Sequence, residues 1–136
     1  MRIAVIDGQG GGIGKLIVEK LKLNLEKKIE IVALGTNTIA TSAMLKAGAD
    51  EGASGENAIV TNAPKVDLIL GSLGIIAANS MLGELSPAMA KAVAESPACK
   101  ILIPLNRCKL YVVGAKNETL AHYIDELVEM VRSYMV

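Results

Sequence analysis

Aromatic residues are scarce: three tyrosines, no phenylalanine and no tryptophan in 136 residues. The chain therefore lacks the stacking faces on which single-stranded nucleic acids are held. An excess of positive charge is missing too, since 14 Lys+Arg meet 14 Asp+Glu and the isoelectric point is about 6.6. Neutralising a phosphate backbone needs a positive field, so a nucleic-acid partner is excluded. Two cysteines, Cys99 and Cys108, and the single His122 form neither a disulfide framework nor a metal-ligand spacing. No metal site is expected, and the thiols are expected to be reduced. No uncharged apolar run approaches the ~18 residues of a membrane span. The opening MRIAVIDG is too short and too soon broken by glycine for a signal peptide. A cytoplasmic location with no membrane partner is the expectation.

What remains is apolar and small. Hydrophobic residues make up 51% of the chain, and the mean hydropathy is +0.42. One domain spanning 1–136 fits the length, because domains run to ~100–200 residues. So apolar a composition predicts that some surface is covered by a second copy, as in a homodimer.

Arg2–Ile6 reads as a buried strand ended by Asp7-Gly8, followed by a glycine-rich loop. Ile13, Leu16, Ile17, Leu21 and Leu25 then recur at helical spacing, predicting a helix from about Ile13 to Lys27. Glu30–Leu34 is a second strand. A helix is expected over Thr38–Ala47, capped by Asn37 or Thr38 and stopped by Gly48. Ala49–Glu56 reads as a loop, Asn57–Thr61 as a short strand, and Val66–Leu70 as a strand broken by Gly71-Ser72-Leu73-Gly74. Ile75–Leu82 reads as helical. Ser86-Pro87 starts a further helix, with a capping serine and Pro at the first helical position. Lys100–Leu105 and Leu110–Val113 read as strands so closely linked that they must form an antiparallel hairpin. A last helix begins near Asn117. Such alternation predicts an α/β, Rossmann-like three-layer sandwich: a mostly parallel sheet with a C-terminal antiparallel hairpin.

The first turn carries the chemistry. Gly8-Gln9-Gly10-Gly11-Gly12-Ile13-Gly14 places five glycines in seven residues, after a strand and before a helix. Glycine lets the backbone approach a ligand, and the helix start offers unpaired N–H groups to an anion. Lys15 adds a charge in the first turn. The G-x-G-x-x-G spacing fails from Gly8, because Ile13 holds the sixth place. The P-loop pattern nearly fits at Gly14-Lys15, but Gln9 replaces its first glycine and Leu16 its Ser/Thr. The spacing G-x-x-x-G-I-G fits fully, with Gly8, Gly12, Ile13 and Gly14.

Over about residues 2–27 this segment resembles the cofactor turn of the short-chain dehydrogenases, a resemblance that implies NAD or NADP. Asp7 departs from that family's usual small polar residue, and no Tyr-x-x-x-Lys pair exists, so the family's chemistry is not implied. Over its whole length the chain is similar to a small bacterial family of unknown function, through its opening Asp7-Gly8-Gln9-Gly10-Gly11-Gly12-Ile13-Gly14. That resemblance implies no activity.

In dinucleotide sites a carboxylate ~20 residues further on holds the ribose hydroxyls. Here that stretch reads Ala33-Leu34-Gly35-Thr36-Asn37, with no acid. Thr36 and Asn37 are neutral and suit a 2′-phosphate or a bare ribose. A second wall is expected from Gly71 and Ser72, with Asn79 and Ser80 behind, if the first strand and Val66–Leu70 are neighbours. Asp7 either meets the ligand or caps the turn through backbone N–H groups. Cys108, beside Arg107, is read as an ordinary thiol of the hairpin turn, and Cys99 as packed at a strand start. Three functions follow: a domain binding a nucleotide or dinucleotide, NAD(P) first; a small enzyme acting on a phosphorylated metabolite, with Asp7 as its acid or base; or a non-catalytic oligomeric module.

Overall fold

The computed structural model describes residues 1–25, 28–105 and 109–135. Five strands and five helices alternate: β1 (Arg2–Asp7), α1 (Gly12–Asn24), β2 (Glu30–Gly35), α2 (Thr38–Lys46), β3 (Glu51–Ser54), α3 (Glu56–Asn62), β4 (Leu68–Ser72), α4 (Pro87–Glu95), β5 (Cys99–Ile103) and α5 (Leu120–Met135). All strand pairs are parallel, and the sheet order is β3-β2-β1-β4-β5.

The central strands are apolar throughout because both faces of the sheet are covered. Successive side chains point to opposite sides. Ile3 and Val5 of β1, with Ile31, Ala33, Leu68 and Leu70, pack beneath α1, Met44 of α2, and α5. Ala4 and Ile6, with Val32, Leu34 and Ile69, pack against Ile59 of α3 and Met89, Ala90 and Val93 of α4. In α5, Ile124, Leu127, Val128 and Val131 are buried, the i, i+3, i+4, i+7 stripe of a helix with one face on a core.

The chain winds outward from β1 through β2 to β3, then returns to β4 on the other side of β1. The order reverses between β1 and β4. In open α/β sheets that reversal leaves a crevice beyond the strands' carboxyl ends. Asp7 closes β1 there and Ser72 closes β4.

Several expectations are corrected. The C-terminal antiparallel hairpin is not supported: β5 ends at Ile103, and among the described residues Leu110–Val113 pairs with no strand. Apolarity alone had marked that segment, whereas a strand needs a ladder partner. The connecting residues 106–108, with Arg107 and Cys108, lie outside the described residues. Ala49–Glu56 is not wholly loop, since Glu51–Ser54 pairs with Val32–Gly35. Asn57–Thr61 is helical, within α3. Leu73–Ile76 is a short 3-10 turn, and the Ile75–Leu82 helix is absent. The last helix starts at Leu120, with the Thr119 hydroxyl accepting from the His122 N–H at 3.2 Å. Cys99 opens β5 but is exposed rather than packed.

Candidate functional site

The turn between β1 and α1 is held by Asp7. Its Oδ1 accepts from the Gly8 N–H at 2.8 Å and its Oδ2 from the Gly14 N–H at 2.7 Å. The carboxylate is buried and sits at the positive end of α1, where a negative charge is favoured. The Gly11 N–H closes the loop onto the Gly8 carbonyl at 2.9 Å.

The glycines separate into two groups. A Cβ on Gly8 would meet Met81 Sδ at 2.6 Å, and one on Gly14 would meet Met44 Sδ at 2.6 Å. Gly11 has φ +74° and leaves only 2.8 Å to the Ala40 backbone. Gly11 is held to glycine by its φ and the Ala40 backbone, whereas a Cβ on Gly8 or Gly14 would require the Met81 or Met44 side chain to shift. Gly10 and Gly12 differ: a Cβ on either would meet nothing within 4 Å, and neither has a positive φ. Both are exposed. Their N–H groups and that of Ile13 bond to nothing among the described residues, as befits the open start of a helix.

Beside the turn lies a cavity of about 290 Å³, lined by Asp7, Gln9, Ile13, Ser72, Gly74, Ser80, Met81, Leu82 and Leu105. It occupies the crevice beyond β1 and β4. Ser72 thus faces the turn, whereas Gly71 is buried deeper, against the Ile6 carbonyl and Ile75. The Ser80 hydroxyl donates to the Gly74 carbonyl at 2.6 Å. Lys15 is not brought to the cavity; it lines a shallow groove between α1 and α2, with Thr38, Ile39, Ser42, Ala43 and Lys46.

Thr36 and Asn37, at the end of β2, are not open neutral groups. Both donate to Glu84 Oε1, at 2.7 Å and 2.8 Å. The Gln9 N–H donates to the same oxygen at 2.8 Å. The hydrogen bonds from Thr36 and from the Gln9 amide hold the Glu84 carboxyl below the usual carboxylate range. Asn37 also caps α2, its Oδ1 accepting from the Ala40 N–H at 2.9 Å. A carboxylate from the segment after β4 thus sits against the end of β2. No local signal marked Glu84, which lies 47 residues beyond Asn37. Met81 and Leu82 were missed for the same reason, because their part in the site comes from a loop folding back.

The family described as a domain of unknown function (DUF3842) matches residues 2–136. The chain belongs to that family. No curated protein matches it. Among the described residues, no group of three or more His, Cys, Asp or Glu is placed to hold a metal, and no helix is long and apolar enough to cross a membrane.

Proposed function

We propose that the domain binds a nucleotide or a phosphorylated small molecule in the crevice beyond β1 and β4, its phosphate resting on the Gly8–Gly14 turn. The observation that carries this reading is the pair Gly10 and Gly12. Neither backbone conformation nor packing requires glycine at these two positions, and glycine costs roughly 0.5–1 kcal/mol relative to alanine in regular structure. Close approach of a ligand to the backbone supplies the missing reason. The open N–H groups of Gly10, Gly12 and Ile13 are the donors, and the start of α1 adds its partial positive charge. Asp7 holds the turn in place through the Gly8 and Gly14 amides.

The cavity sits at the lower end of the ~300–1,000 Å³ usual for small-molecule sites. With Met81 and Leu82 in its wall, that volume suits a ligand no larger than a mononucleotide. NAD or NADP, which the turn's spacing favours, requires residues 77–85 to move aside.

The test is a thermal-shift panel of NAD, NADH, NADP, NADPH, ATP, ADP, GTP, FMN, S-adenosylmethionine and phosphate, with Gly12→Val alongside. A bound ligand at a hundred times its Kd stabilises by about 2.7 kcal/mol. The expected result is a shift with at least one ligand that Gly12→Val abolishes. Wild-type protein unmoved by every compound at millimolar concentration overturns the reading.

A further inference from the structure

Residues 77–85 cross over the glycine turn in an unusual backbone. Asn79, Met81, Leu82 and Gly83 have φ of 66°, 58°, 57° and 89°, a region that residues such as Met and Leu seldom adopt. The segment closes on itself: the Asn79 N–H donates to the Leu85 carbonyl at 2.7 Å, and the Leu85 N–H to the Ser80 carbonyl at 3.2 Å. Its two ends are anchored by the buried Ile75 and Leu85, whereas Leu82, at the rim of the cavity, is 97% exposed. Among the described residues, its polar ties to the turn and to β2 all run through Glu84 Oε1, which takes the Gln9 N–H, the Thr36 hydroxyl and the Asn37 amide.

Gln9 belongs to the turn on which the binding reading seats the phosphate, and Thr36 and Asn37 are the residues whose chemistry suits a ribose or 2′-phosphate. Three donors converging on one carboxylate oxygen form a cradle for an oxyanion. A strained, self-contained loop carrying that oxyanion has the build of a closure rather than of a core element. Resting on the binding reading above, we propose that residues 77–85 are a lid over the glycine turn. Glu84 is its latch, occupying a cradle from which a phosphate or carboxylate of the ligand displaces it.

The test uses the full chain with Glu84→Ala and Glu84→Gln. Amide hydrogen exchange is followed without ligand, and inorganic phosphate is titrated against the Gln9, Gly10, Gly12 and Ile13 amide resonances, with chloride at matched ionic strength as control. In Glu84→Ala the Asn79, Gly83 and Leu85 amides are expected to exchange faster, while Ile3–Ile6 stay protected. Phosphate affinity is expected to rise about tenfold, the order set by losing one charge-assisted contact. Glu84→Gln falls between, and phosphate itself speeds loop exchange in the wild type. Unchanged loop exchange in Glu84→Ala overturns the latch. A released loop with unchanged phosphate affinity overturns the displacement, while shifts at Gly10 and Gly12 leave the binding reading standing. A released loop with no phosphate shift at any of the four amides overturns displacement and removes phosphate as a ligand of the turn; the nucleotide panel then decides the wider reading.

Discussion

Gly11 and Gly12 are neighbours with opposite expectations. An alanine at Gly11 must hold a φ of +74° with its Cβ 2.8 Å from the Ala40 Cα. It is expected to lose more than ~1 kcal/mol, since alanine at a positive φ costs more than the gain it brings elsewhere. Gly12→Ala sits at the first position of α1 with open space around it. It should be neutral or gain about 0.4–1 kcal/mol, because the unfolded chain loses freedom. Urea unfolding of the two variants checks both, and equal losses would erase the division of the turn on which the binding reading rests. Asp7→Asn keeps the shape but has only one acceptor for the Gly8 and Gly14 amides. We expect a loss of about 1.5–3 kcal/mol, the range for a hydrogen bond to a charged group. An Asp7→Asn protein as stable as the wild type would show that the carboxylate is not what holds the turn. The glycine run was legible in the sequence; which glycines the fold consumes was not, because that depends on Ala40, Met44 and Met81, brought close only by folding.

At the scale of elements, legibility followed burial. β1, β2 and β4 are buried on both faces, so their apolar runs could be read directly, and α1, α2 and α4 carried periodicity or caps. The Ser86-Pro87 start of α4 is an instance: Ser86 Oγ accepts from the Met89 N–H at 3.2 Å and donates to Glu56 of α3 at 2.6 Å. Ser86→Ala should cost about 1 kcal/mol, the usual value of an N-cap; unchanged urea unfolding would show the cap to be idle. Edge and connecting elements were misread. β3 is EGAS, mostly exposed, and it is a strand because the free edge of β2 offers it a ladder, not because of its own side chains. Asn57–Thr61 contains Ile59, Val60 and Thr61, residues that favour strands. The return from β3 to β4 instead makes it a helix that buries Ile59. Leu110–Val113 is the reverse error, a strand-like composition that finds no pairing neighbour among the described residues.

Across the whole molecule, charge contributes little in number but ties separate parts of the chain. Asp50, in the connection from α2 to β3, accepts from the Ile31 N–H at 2.8 Å and approaches Lys22 of α1 at 3.4 Å. The Ile31 amide, and then Lys22, hold its carboxyl below its ordinary 3.8. A carboxyl depressed in the folded state adds stability that is complete above its unfolded value and is lost as pH falls through the lower folded one. The contribution of Asp50 is therefore present at neutral pH and fades below about pH 3.8. Asp50→Asn keeps an acceptor for Ile31 but removes the charge. At pH 7 it should lower stability by less than about 1 kcal/mol, because the Asp50 side chain is 41% exposed and solvent screens its pair with Lys22. As pH falls through the lowered folded value the wild type becomes protonated too, and the urea midpoints of the two proteins should converge. A difference that persists unchanged at acid pH would place the effect in shape rather than charge, and β3 would then be held to β2 by its backbone ladder without electrostatic help from this connection.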